Sequence, residues 1–222
     1  MEFTSWDILR NLLLAARWTV LLSLVAFATG SVAGLAVLLL RVAKQPWLRR
    51  PAELYIAAFQ GTPLLMQLFL VFFGLPLLGF RIEAWSAAVV GLTLCASAFL
   101  AEIWRGGVEA VPRGQWEGAR ALALGYFAQL RFVILPQASR IALPPTVGFL
   151  VQLVKGTSLA SIIGFTELTR AAAVVNNATF RPLIVYTAVA GLYFVLCWPL
   201  SVLSDRLERR LDRAQTQPPS TM

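Results

Sequence analysis

Apolar residues come in five long runs along this chain, separated by short polar or charged stretches. The runs lie near residues 18–40, 54–78, 85–103, 141–165 and 183–203. Each is long enough to cross a hydrocarbon core ~30 Å thick, which takes ~20 helical residues. Strict apolar–polar alternation is absent, which argues against a β-barrel, and backbone groups in lipid must pair within their own segment. The pattern predicts an all-α, polytopic transmembrane helical protein with five spans. The first run is too long for a cleaved signal and lacks a small-residue cleavage site, so it is read as a retained span.

Interruptions within the runs carry further expectations. Ala26, Gly30 and Gly34 recur every four residues in the first run, a ridge of small residues along one helix face. It serves either packing within the chain or a contact with a second copy, and intramolecular packing is the plainer reading. In the second run, Gly61 and Pro63 predict a kink or a fresh helix start. Gln67 follows among apolar neighbours, where its amide needs a partner. Two roles stay open for it, a hydrogen bond to another helix or the lining of a polar pathway. Beyond the fifth run, residues 205–214 have the arginine–leucine spacing of an interfacial helix end. Residues 215–222, with Pro218 and Pro219, read as a disordered tail.

Composition agrees with a membrane protein and adds an orientation. Of 222 residues, 58% are hydrophobic and mean hydropathy is +0.72. With five spans the termini fall on opposite sides. Thirteen arginines and lysines follow spans one, three and five; five arginines lie on the other side, and Lys155 sits inside a span. The positive-inside rule then places residues 1–17 in the periplasm and residues 205–222 in the cytoplasm. The five-span domain covers 18–204, with a cytoplasmic loop at about 104–140. This asymmetry explains the net charge of +8, and no aromatic-interleaved basic patch points to nucleic acid. Cys95 and Cys197 both fall within predicted spans, which suits packing better than a disulfide.

Lys155 is the charge most in need of a reason, because an ionisable residue deep in a span is costly. The Gly156-Thr157-Ser158 that follows can unwind the helix and turn carbonyls and hydroxyls towards a polar cavity. Lys155 is then either a cation on the translocation path or a structural, snorkelling lysine. Glu102 pairs with Arg105 at helical spacing or with a cation on another span. In the loop, Arg105, Glu109, Arg113 and Glu117 alternate in sign every four residues, but Pro112 and Gly114 preclude one continuous helix. A helix restarting near Gln115 would gather Glu117, Arg120 and Leu124 on one side, with Trp116, Ala119, Leu122, Ala123 and Phe127 over the remainder.

Glu117-Gly118-Ala119 followed by Ile134-Leu135-Pro136 resembles the "EAA" signature of permease subunits of ATP-binding-cassette importers. The stretches FQGTPLLMQLFLVFFGLP, AEIWRGGVEAVPRGQWEGARAL, LPQASRIALPP and KGTSLASIIGFTELTRAA look like the polar-amino-acid uptake branch. The resemblance spans nearly the whole chain. It implies a type I, MetI-like importer fold in a bacterial inner membrane, with two permease subunits, identical or paralogous, enclosing the pathway. Two ATPases would hold ATP and Mg²⁺, with no cofactor in this chain, and a solute-binding protein, periplasmic or lipid-anchored, would deliver an amino acid. The coupling helix would lie in 117–129, with Glu117, Gly118, Ala119, Arg120, Ala123, Gly125 and Pro136 forming the ATPase-coupling element. Gln67, Glu102, Lys155, Thr157 and Ser158 are the candidate translocation-path or substrate residues.

Three positions depart from that pattern. Gly118 takes the second alanine-type place, and the expected loop glycine falls on Ala123, with Gly125 two residues later, which implies a shifted or tighter turn. Gly156 stands where the branch commonly has an acid, removing a negative charge beside Lys155 and favouring solutes with a free carboxylate. The competing readings are an ATPase-independent secondary transporter or channel, and an intramembrane enzyme. No inverted repeat supports the first. Without histidine there is no histidine-based metal site or serine–histidine dyad for the second, leaving only a Ser158–Lys155 pair.

Overall fold

The computed structural model describes residues 4–43 and 45–216, and among them there is no strand. Helix α1 (Ser5–Arg41) runs 37 residues without a breaker, with Asp7 in its first turn and Arg41 in its last, charges that suit its macrodipole. Its first third is not a separate N-terminal segment. Ile8 and Leu12 are buried against Leu168, Ala172, Val185 and Val189, so the helix that was expected from residue 18 begins at Ser5.

Helix α2 (Pro46–Gly61) opens with proline at its first position, where the missing N–H costs nothing. Thr62 and Pro63 are extended, and α3 (Leu64–Phe69) starts afresh after them. It continues through a π-helical stretch, Leu70–Gly74, into α4 (Leu75–Leu77). The bend between Pro46–Gly61 and Leu64–Leu77 is 109°, so the restart expected at Gly61–Pro63 is an elbow far sharper than a proline kink. Helix α5 (Ala84–Glu109) then crosses the molecule.

Between α5 and the next long helix come α6 (Arg113–Ala121), the single turn α7 (Tyr126–Ala128) and a π-helical stretch, Gln129–Ile134. Helix α8 (Leu135–Gly156) passes into a 3₁₀ helix, Thr157–Ser161. Helix α9 (Leu168–Thr179), which no apolar run announced, is followed by α10 (Pro182–Thr216). The interfacial segment expected at 205–214 is the unbroken end of α10. Gln215 and Thr216 also belong to it, while Lys44 and the rest of the expected tail lie outside the described residues.

Among the described residues three helices, α1, α5 and α10, are long and apolar enough to cross a membrane, and the bent pair makes four at most. The fourth predicted run, 141–165, is not one unbroken helix. Its helix starts earlier, at Leu135, carries Gln137, Arg140, Gln152 and Lys155, and gives way at Thr157. The main core lies between α1, α3, α5 and α8, where Leu22, Ala26, Leu68, Leu92, Ala96, Leu100, Phe149 and Leu153 are buried. There α1 meets α5 closely: a Cβ on Gly30 would come within 2.6 Å of the Ala96 Cβ, and one on Gly34 within 3.0 Å of the Ser97 carbonyl. The small-residue ridge therefore packs within the chain.

Candidate functional site

The loop after α5 is shaped by two stops. Pro112 ends the helical ladder and caps α6 with extended backbone. Arg105 still pairs with Glu109 one turn back, but neither Arg113 nor Glu117 has an ion-pair partner among the described residues. At its far end α6 closes with a Schellman turn. Leu124 N–H donates to the Ala119 carbonyl (3.2 Å) and Ala123 N–H to the Arg120 carbonyl (2.9 Å). Ala123 takes the left-handed conformation, φ 54°, while Gly125 is ordinary extended backbone. The turn is therefore not displaced to Gly125. It stays at 123, and an alanine carries the conformation usually given to glycine.

The short helix accordingly lies at Arg113–Ala121, earlier than the 117–129 expected. Leu124 falls in the turn after it, so Glu117, Arg120 and Leu124 do not share one helix face. The side chain of Trp116 packs with the buried Val111, Ile134 and Ala138, and Ala119 is buried. Glu117, Gly118, Arg120, Ala123 and Gly125 are exposed, as is Pro136 at the start of α8. Beside them, Leu122 and Phe127 are 76% and 85% exposed. The loop thus has a packed back and an uncovered, partly apolar front. It is fastened by amides: Gln129 Nε2 donates to the Leu124 carbonyl (2.6 Å) and Gln137 Nε2 to Gln115 Oε1 (3.1 Å). Arg131 instead lies over the Phe132 ring.

The elbow forms a second polar centre. Gln67 is buried, and its Nε2 donates to the Phe59 carbonyl (2.8 Å), the Thr62 carbonyl (3.0 Å) and Thr62 Oγ1 (3.1 Å). These are acceptors released where α2 stops, so Gln67 clamps the break from the far side. Its Oε1 is buried with no protein donor. Next to the break is a cleft of about 180 Å³. Gln60, Thr62 and Gln152 give its polar edge, and Phe59, Phe99 and Phe149 much of its wall. Lys155, one turn beyond Gln152 on α8, is exposed and makes no ion pair among the described residues. Thr157 is fully buried, with Oγ1 donating to the Val154 carbonyl (2.7 Å), and Ser158 Oγ donates to the Lys155 carbonyl (2.7 Å). Both hydroxyls thus cap the frayed helix end.

Glu102 lies apart from this cleft. Its carboxylate takes Arg105 Nη2 at 2.7 Å and Arg41 Nε at 3.4 Å, so both partners foreseen for it are present. Arg41 also bonds Glu53 at 2.8 Å, which ties α1, α2 and α5 together at the end nearest the loop. Sequence reasoning missed Gln60 and Gln152, whose signal was a lone amide within an apolar run. It also missed Glu167, which is fully buried. That carboxylate accepts the N–H groups of Thr169 and Arg170 (both 2.8 Å) and the Tyr193 hydroxyl (3.0 Å), starting α9. An acid directly before Leu-Thr-Arg was its available mark as a helix cap.

Comparison with known proteins agrees with this architecture. Residues 38–213 match the family model for the binding-protein-dependent transport system inner membrane component. The probable amino-acid ABC transporter permease YckA of Bacillus subtilis (strain 168) is 39% identical over 87% of this chain and 85% of its own length. The L-cystine transport system permease TcyB of the same organism is 36% identical, covering 94% and 88%. The octopine transport system permease OccM of Rhizobium meliloti is 36% identical, covering 96% and 92%. A crystal structure of an amino acid ABC transporter with histidines superposes with a TM-score of 0.88 at 33% identity, covering 95% of this chain and all of that one. The MetNI methionine ABC transporter, in inward facing conformations, gives 0.74 at 24% identity over 90% and 95%, a likeness of fold alone. The chain thus belongs to the inner-membrane components of binding-protein-dependent transport systems, the multi-pass permease subunits of ABC importers.

Proposed function

We propose that this permease carries amino acids across a bacterial inner membrane, driven by ATPase subunits that seat against α6 and the turn after it. The carrying observation is an exposed front made by Glu117 and Gly118 on α6 and continued past its end by Leu122 and Phe127, with Trp116, Val111 and Ile134 packed behind α6. A push on that front reaches α8 directly through the Trp116 cluster and through the Gln137–Gln115 bond. It also reaches α5, from which the loop departs. Helices α5 and α8 are the two walls of the elbow cleft, so closing the ATPases would move its walls relative to α2 and α3.

In this reading ATP and Mg²⁺ stay on the ATPase subunits. A second permease, identical or paralogous, completes the pathway, and a solute-binding protein, periplasmic or lipid-anchored, delivers the solute. The names of the relatives, which include amino-acid, L-cystine and octopine systems, support an amino-acid-like cargo. The exposed Lys155 and the amides of Gln60 and Gln152 offer a cation and neutral hydrogen-bonding groups to a carboxylate and an ammonium. Residues 104–140 face the cytoplasm and the start of α1 faces the periplasm, as the arginine asymmetry favours.

ATPase capture tests the coupling. Purified permease carrying Glu117→Lys is expected to lose ATPase retention on affinity resin by about tenfold, whereas Glu83→Lys, at the other end of α5, retains it. Undiminished retention by Glu117→Lys, with uptake intact, would overturn this seat for the ATPase.

A further inference from the structure

Where α5 begins, the bundle carries a cleft that neither the loop nor the elbow uses. Its volume is about 620 Å³, and its lining is Trp18 from α1, Glu83, Ala84 and Trp85 from the start of α5, and Gly164, Phe165 and Thr166 beyond the 3₁₀ helix. Trp85 and Glu109 stand about 36 Å apart along α5 at ~1.5 Å per residue. Cleft and coupling loop therefore lie at opposite ends of the molecule.

Three rings from three distant segments meet here. Trp85 and Phe165 are 5.2 Å apart between centroids and tilted by 51°. Trp18 meets Trp85 at 6.0 Å and 70°, and Phe165 at 6.4 Å and 89°. Rings crossed at such angles do not seal one another face to face, and an aromatic face is the negative pole of its quadrupole. The Trp18 ring already receives a cation in this fold, the Arg17 guanidinium at 5.5 Å from its centroid.

A carboxylate completes the set. Glu83 is exposed, makes no side-chain cap to α5, and has no cationic partner within 4.0 Å among the described residues. Across the cleft Gly164 sits at φ 91°, and a Cβ there would meet nothing within 4 Å. Tryptophans are enriched at membrane interfaces, where their amphipathic rings sit at the headgroup level. Here they converge with a free carboxylate around open space, and aromatic faces plus one anion are the chemistry that holds an organic cation.

We propose that this cleft is a binding site for an organic cation, an ammonium or guanidinium group, held by the Trp85 and Phe165 rings and the Glu83 carboxylate. Two sources share that chemistry at this end of the spans: a free amine-bearing solute and the ethanolamine headgroup of a bilayer lipid. The site needs no nucleotide and no ATPase, so it stands or falls separately from the coupling argued above.

Equilibrium dialysis of labelled choline against the purified, full-length permease in lipid-free detergent tests it. Choline is expected to bind saturably and to be displaced by ethylammonium and guanidinium, but not by its uncharged carbon analogue 3,3-dimethylbutanol at about tenfold higher concentration. Glu83→Gln and Trp85→Leu each weaken choline binding about tenfold, and Trp85→Phe leaves it within about threefold. Glu83 is exposed, so its variant keeps the reading clear if Trp85→Leu fails to fold. Repetition in phosphatidylglycerol nanodiscs with and without phosphatidylethanolamine separates the sources. Binding retained in both assigns the site to a free solute, and binding lost only with phosphatidylethanolamine assigns it to the headgroup. Equal displacement by the neutral analogue, or affinity unchanged in both Glu83→Gln and Trp85→Leu, overturns the proposal.

Discussion

Ala123 pays a conformational penalty at the turn that closes α6. An L-residue in left-handed backbone is disfavoured by roughly 1–2 kcal/mol, and nothing in its surroundings demands the alanine methyl, since the residue is exposed. Ala123→Gly should therefore steady the end of α6 by about 1 kcal/mol. Hydrogen exchange of the Leu122–Leu124 amides in the purified permease would register this as slower exchange; equal or faster exchange would contradict it. Gly156 is a second residue where the side chain missing from this chain is informative. A Cβ there would come 3.0 Å from Leu64 Cδ2, the mobile end of a leucine, so Gly156→Asp should fold. It would add a carboxylate on the residue after Lys155 and so offset the positive charge at this end of α8. We expect uptake to shift several-fold away from solutes with a free carboxylate and towards cationic ones. Competition assays with unchanged solute preference would refute this.

The elements show which parts of the sequence could be read. Helix α1 and the ridge of Ala26, Gly30 and Gly34 were legible because small residues at one spacing have one physical use, close approach, and α5 supplies it. Gly30→Leu should accordingly be severe. With 2.6 Å between a Cβ at residue 30 and the Ala96 Cβ, both helices must separate, at a cost of about 1–3 kcal/mol or more. A drop in melting temperature checks it, and an unchanged melt would mean the ridge bears no load. The elbow was half legible. Gly61 and Pro63 announced a break, but the 109° turn depends on Gln67 taking the Phe59 and Thr62 carbonyls from a separate helix, a contact without a sequence period. The end of α6 was misplaced because the absence of glycine at 123 argued for a moved turn, whereas tertiary packing of Trp116 and Ala119 holds it. Helix α9 was missed altogether. Its start rests on a buried Glu167, a charged residue that hydropathy counts as loop, although three donors satisfy it there.

At the scale of the whole molecule, charge and shape divide along one axis. The ion pairs joining Arg41, Arg49, Glu53, Glu102, Arg105 and Glu109 gather at the ends of α1 and α5 and on α2, next to the loop after α5. The aromatic cleft and the start of α5 lie at the other pole. Thirteen of the chain's 19 lysines and arginines belong to the segments expected at the loop's pole, and the positive-inside rule favours the cytoplasm for such a side. Cysteine labelling decides the orientation, because Cys95 and Cys197 are buried and free and can be changed to alanine first. In that background, Phe80→Cys reports the pole of the short α4–α5 turn and Tyr126→Cys the loop; both parent side chains are exposed, at 64% and 59%. In intact cells a membrane-impermeant maleimide should label Phe80→Cys and leave Tyr126→Cys unmodified until the membrane is permeabilised. The opposite pattern would place the coupling element outside, out of reach of any cytoplasmic ATPase, and would overturn the orientation and the proposed drive together.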